Sequence, residues 1–92
     1  MSTLTDDEIT AALAGLDGWH RDGDEIGREL RFPDFRAAVA FVVRLAFEAE
    51  AANHHPDIDI RWRTVVLRAS THSAGGLTQM DIDLARRVDA LG

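Results

Sequence analysis

A chain of 92 residues, 46% hydrophobic and 28% charged with two prolines, is one domain spanning 1–92, too apolar for disorder and small enough that oligomerisation is expected to supplement a thin core. Ten arginines and no lysine stand against sixteen acidic residues, and the net charge of −6 repels the phosphates that dominate nucleic-acid affinity, so no direct nucleic-acid partner is expected. The lack of cysteine excludes disulfides, zinc thiolates and thiol nucleophiles, and an acidic amino terminus with no apolar run near the ~18 residues of a bilayer span points to a soluble, cytoplasmic protein without a membrane partner.

Thr5 and Glu8 form a capping box, with Asp6 and Asp7 where a helix dipole favours negative charge. Ile9, Ala12, Leu13 and Leu16 follow at helical spacing, and Gly18 is the expected stop. Asp22-Gly23 suits a tight hairpin; beyond it Ile26, Leu30 and Phe32 share one parity, which Arg28 interrupts. From Pro33 or Asp34 the period becomes 3.6, with Phe35, Ala38, Val39, Val42, Leu45, Ala46 and Ala49 as the apolar stripe of a long helix that must end before Pro56.

DIDIRW alternates, with Ile58, Ile60 and Trp62 expected on a core face; VVLRASTH reads as its partner strand, with His72 at its end, after a turn near Arg63 and Thr64. After the loop SAGGL, Thr78 and Asp81 open a last helix whose Ile82, Ala85, Val88 and Leu91 form a stripe. The order is αββαββα, an α+β fold with a four-stranded antiparallel sheet and three helices on one face.

Four residues separate Glu50 from His54 at a helix end, a spacing that sets a carboxylate beside an imidazole and favours its charged form. His55 precedes proline, and His72 lies among Ser70, Thr71 and Ser73 next to a glycine pair. If the strand end meets the helix end, three imidazoles converge and can both remove and deliver a proton, as adding or eliminating water requires. Two other readings stand beside this one: a solvated histidine corner, and a metal set of Glu50, His54 and His72, whose spacing matches no strong motif. Trp19, Trp62 and His20 read as core, interface or surface residues.

The combination Glu50, His54-His55-Pro56, Trp62, His72 and Asp81, within FPDFRAAVAFVVRLAFEAEAANHHP and STHSAGGLTQMDIDLA, resembles the pterin-4a-carbinolamine dehydratases over roughly Trp19 to Val88. The resemblance implies the same αββαββα fold and a homodimer or homotetramer with sheets continued across subunits. It implies dehydration of 4a-hydroxytetrahydropterin to quinonoid dihydropterin, in support of tetrahydropterin recycling, with no metal or organic cofactor. By carry-over His54, His55 and His72 are catalytic, Asn53, Ser70, Thr71 and Ser73 line the pterin site with them, and Glu50 and Asp81 support it. Animal members carry acids where this chain has Asn53 and Ser73, a departure that implies a thinner polar clamp or a different pterin. The rival implied by the same family is a protein-interaction module, because animal relatives also serve as dimerisation cofactors for a homeodomain transcription factor; a pterin-binding or assembly protein with little catalysis is a further rival.

Overall fold

The computed structural model describes residues 2–91. Helix α1 (Asp6–Ala14) starts on the expected box: the Thr5 hydroxyl accepts from Glu8 N–H and the Glu8 carboxylate accepts from Thr5 N–H. It ends at Gly15, earlier than Gly18, and Leu16 then tucks into the core from a turn rather than from the helix. Strands β1 (His20–Asp22) and β2 (Glu25–Arg31) form the hairpin, with Asp22 paired to Glu25. The turn therefore falls on Gly23-Asp24, one residue later than the Asp22-Gly23 dipeptide suggested, and Gly23 takes the positive φ of 62°.

Helix α2 (Phe35–Ala52) is capped by Asp34, whose carboxylate accepts from Ala37 N–H. Its buried line is Ala38, Phe41, Leu45 and Ala49. Phe35 and Ala46, expected on that stripe, are exposed, and Phe41 takes the core position, where its ring meets Phe32 at 5.1 Å between centroids. The stripe is rotated by part of a turn because α2 must also close against the last helix.

Strands β3 (Asp57–Arg61) and β4 (Thr64–Ala69) complete an antiparallel sheet of order β1-β2-β4-β3. Ile58 and Ile60 pair with Leu67 and Val65 and so share the core-side parity, but β3 is an edge strand and all five of its residues are exposed. Trp62 leaves the alternation altogether: it sits in the turn at a φ of 55°, 69% exposed, with the Arg63 guanidinium 4.7 Å from its ring centroid. Helix α3 (Gln79–Ala90) repeats the capping box with Thr78 and Asp81 and buries Ile82, Leu84, Ala85 and Val88. Arg28 breaks the parity of β2 because it reaches α3: its guanidinium pairs with Asp89, which also accepts from Trp19 Nε1 at 2.9 Å. That half-buried cluster pins the hairpin to the end of the last helix.

Candidate active site

The site is built where α2 stops. Asn53 adopts a left-handed conformation (φ 50°, ψ 43°), which asparagine tolerates better than most residues. Asn53 N–H then returns to Glu50 O and His54 N–H to Ala49 O, both at 3.1 Å, closing the helix in a Schellman-type end. This reversal turns His54 inward, where it is 8% exposed, while His55 stays half-exposed ahead of Pro56. The two rings consequently take different partners.

Glu50 Oε1 lies 2.5 Å from His55 Nε2, not from His54. The expected Glu50–His54 pair does not form because helical i, i+4 geometry no longer holds past the left-handed residue. His54 Nε2 instead lies 2.5 Å from Oδ1 of Asp81, a side chain with no exposed surface. The other carboxylate oxygen of Asp81 accepts from Thr78 N–H at 2.9 Å and from the Thr71 hydroxyl at 2.8 Å, and the Thr71 and Thr78 hydroxyls lie 2.7 Å apart. One buried carboxylate thus joins the end of α2, the loop after β4 and the start of α3. A carboxylate that is ionised only accepts, so opposite an ionised Asp81 the Nε2 of His54 is the donor and Nδ1 is the ring nitrogen left to accept.

His72 does not end a strand. β4 stops at Ala69, and residues 72–74 form a 3₁₀ turn held by the Thr71–Gly76 bridge, with Gly75 at a φ of 75°. Thr71 points down to Asp81, while its neighbours His72 and Ser73 are exposed. The loop is short and tied at both ends, which gives its upper residues a fixed base.

These segments enclose an open cleft of about 380 Å³ lined by Asn53, His54, His55, Ser70, Thr71, His72, Ser73 and Met80. All three imidazoles and all four candidate binding residues border this one hollow. Met80, in the first turn of α3, adds an apolar wall for which the sequence carried no signal. Glu50 and Asp81 stand behind the lining and hold His55 and His54. Glu50, His54 and His72 do not assemble as a metal set; among the described residues no group of three or more histidine, cysteine, aspartate or glutamate side chains is placed to hold a metal ion.

Residues 2–91 match the family described as pterin 4 alpha carbinolamine dehydratase. A Nocardia farcinica protein named "Putative pterin-4-alpha-carbinolamine dehydratase" is 59% identical over 88 residues, covering 96% of this chain and 93% of its own. The crystal structure of a transcriptional coactivator/pterin dehydratase from Brucella melitensis superposes with a TM-score of 0.94 at 36% identity, covering 98% of both chains. A pterin dehydratase-like protein identified as a RuBisCO assembly factor in the alpha-carboxysome is similar in fold, with a TM-score of 0.65 at 23% identity over 79% of this chain and 84% of that one.

Proposed function

The chain belongs to the pterin 4 alpha carbinolamine dehydratase family, and from that premise we propose that it dehydrates 4a-hydroxytetrahydropterin to quinonoid dihydropterin in the cytoplasm, in support of tetrahydropterin recycling, using its three cleft imidazoles and no metal or organic cofactor. The observation that carries the reading is the shared cleft: His54, His55 and His72, far apart in the chain, border one hollow large enough for a bicyclic ring.

In the proposed reaction the N5–H bond breaks, its electron pair forms the N5=C4a double bond, and the C4a–O bond breaks as the hydroxyl takes up a proton and leaves as water. Two proton transfers are required, one from N5 and one to the hydroxyl, and both must lie within reach of a ring nitrogen. His54 is the base in this account. Its Nε2–H is held by Asp81, so Nδ1 is the atom that accepts, and the Asp81 carboxylate faces the imidazolium that results. His55, braced by Glu50, and His72, on its tied loop, stand toward solvent and supply the proton to the departing hydroxyl. Asn53, Ser70, Thr71 and Ser73 add the polar groups that orient the pterin.

We further propose a homodimer or homotetramer. The edge strand β3 leaves Ile58 and Ile60 exposed, the turn after it leaves Trp62 exposed, and α2 leaves Val43 and Phe47 exposed at 50% and 72%, apolar surface that a second copy would cover. Sedimentation as a monomer at micromolar concentration would contradict this.

An interaction module is the second reading, favoured by the description of the Brucella melitensis protein as a transcriptional coactivator. Turnover separates the two. Freshly generated 4a-hydroxytetrahydropterin should lose water faster on adding the purified protein, and an unchanged rate would leave the interaction reading standing alone.

A further inference from the structure

The loop that carries His72 has a support outside the cleft, from residues with no part in the proton transfers proposed above. Leu4 N–H donates to Leu77 O at 2.8 Å, and Thr3 lies over Gly76, its Cγ2 3.3 Å from where a Cβ on that glycine would stand. We propose that Thr3 and Leu4 are positioning residues for His72, acting through the backbone of Gly76 and Leu77. This role rests on the pterin reading of the cleft and adds to it the segment that fixes its third imidazole.

The two segments are placed alike in the sequence. Leu4 comes just before the cap Thr5 and Leu77 just before the cap Thr78, the position from which an apolar side chain folds back on its own helix. Leu77 belongs to the buried core, and Leu4 packs against that core. Both helix starts are thereby anchored, and the Leu4–Leu77 hydrogen bond ties one to the other.

The bridge at the base of the loop carries this tie to the cleft. Gly76 O accepts from Thr71 N–H at 3.0 Å and Gly76 N–H returns to Thr71 O at 3.4 Å, while the same Thr71 carbonyl accepts from Ala74 and Gly75 N–H at 3.0 Å. His72 and Ser73 stand exposed above this base, so the backbone beneath them sets where the imidazole lies. Gly76 is buried although Gly75 is exposed, and only Gly75 of the pair has a positive φ. What calls for glycine at 76 is the close approach of Thr3, with Asp24 Oδ1 3.9 Å from the same Cβ position. Thr71, the other half of the bridge, is held by Asp81, which also holds His54. A displacement on the Thr3 side therefore moves His72 relative to His54.

The test adds one methyl group and removes another. Gly76→Ala sets a Cβ against Cγ2 of Thr3, and Thr3→Ser takes that Cγ2 away. In Gly76→Ala the kcat for dehydration should fall about 3- to 10-fold, the worth of a shift well under 1 Å at a proton donor, with KM within about 2-fold of the wild type. Thr3→Ser keeps Cβ and the backbone bond and should stay within about 2-fold of the wild type, as should Thr3→Ser/Gly76→Ala. The His72 ring resonances should move in Gly76→Ala and return in the double variant while those of His54 and His55 stay, a pattern that a general loss of stability does not produce. Amide exchange gives a reading without substrate: Thr3→Gly, at an exposed position, should speed exchange at Ala74 and Gly75 about 10-fold and leave Val65 and Leu67 unchanged. Wild-type kcat in Gly76→Ala, no recovery in the double variant, or unchanged exchange in Thr3→Gly would each overturn the proposal. If Gly76→Ala does not fold, the exchange in Thr3→Gly decides. If the wild type does not dehydrate the pterin, the reading of the cleft fails, and the His72 resonances and exchange rates still decide whether Thr3 and Leu4 hold the loop.

Discussion

Asp81→Asn is the most informative single change in this molecule, because it keeps the shape of a fully buried side chain and alters only what its two oxygens can do. Oδ2 accepts from two donors, Thr78 N–H and the Thr71 hydroxyl, while Oδ1 faces His54 Nε2. An amide placed with its NH₂ toward Thr78 would oppose donor to donor at the helix cap. The cheaper arrangement keeps the carbonyl there and turns NH₂ toward His54, so that Nε2 must accept and the ring proton moves to Nδ1. The expected loss of stability is about 1 to 3 kcal/mol, since charge-assisted bonds become neutral ones while no group is left unpaired. For a domain of this size that lowers Tm by roughly 4 to 20 °C at fixed protein concentration. Activity should fall further than stability suggests, by ~10² or more, because the proposed base now carries hydrogen on the atom that must accept. Steady-state dehydration gives the rate, and ¹⁵N spectra of the imidazoles read the tautomer directly. Wild-type turnover in Asp81→Asn, or a His54 that keeps hydrogen on Nε2, would refute the reasoning.

Replacing His55 or His72 by alanine should lower the dehydration rate by ~10² to 10⁴ with little change in melting, since both side chains are exposed; equal turnover in both variants would remove them from the reaction. A rate carried by imidazoles should vary with pH between about 5 and 9, and a flat profile measured across that range would contradict proton transfer by these rings. Ile26→Ala empties a site with no exposed surface on a central strand and should cost about 2 to 5 kcal/mol in denaturant unfolding; a loss below about 1 kcal/mol would mean that the core there is not packed as described.

The fold was largely legible because its signals are local. Both capping boxes are read from residues three apart, and the pairs Thr5–Glu8 and Thr78–Asp81 open helices as their spacing indicates. The alternation of β3 gave the correct parity for Ile58 and Ile60, yet parity cannot say whether a strand lies at an edge, and their exposure follows from the order β1-β2-β4-β3. Arg28 resisted a local reading because its partner, Asp89, stands 61 residues away.

The site divides in the same way. Its histidines and its polar lining could be named from the sequence, Met80 excepted, and they border one cleft. Their pairings could not. Glu50 and His54 have helical spacing, but the left-handed turn at Asn53 takes His54 off the helix and gives Glu50 to His55. Asp81 was visible as a cap residue, while its second role toward His54 depends on a carboxylate oxygen that only tertiary packing directs. His72 continues the strand-like run VVLRASTH without a break in the sequence, whereas the Thr71–Gly76 bridge closes a loop around it.

The chain has four histidines, and three of them border the cleft. His20 packs instead against Gly27 in the β1–β2 hairpin, which makes it an internal control. Imidazole ¹⁵N and ¹³C spectra recorded while a 7,8-dihydropterin is titrated in should show the rings of His54, His55 and His72 shifting along one common binding curve, with His20 still. Shifts confined to a single ring, or following separate curves, would mean that the three imidazoles do not surround one ligand.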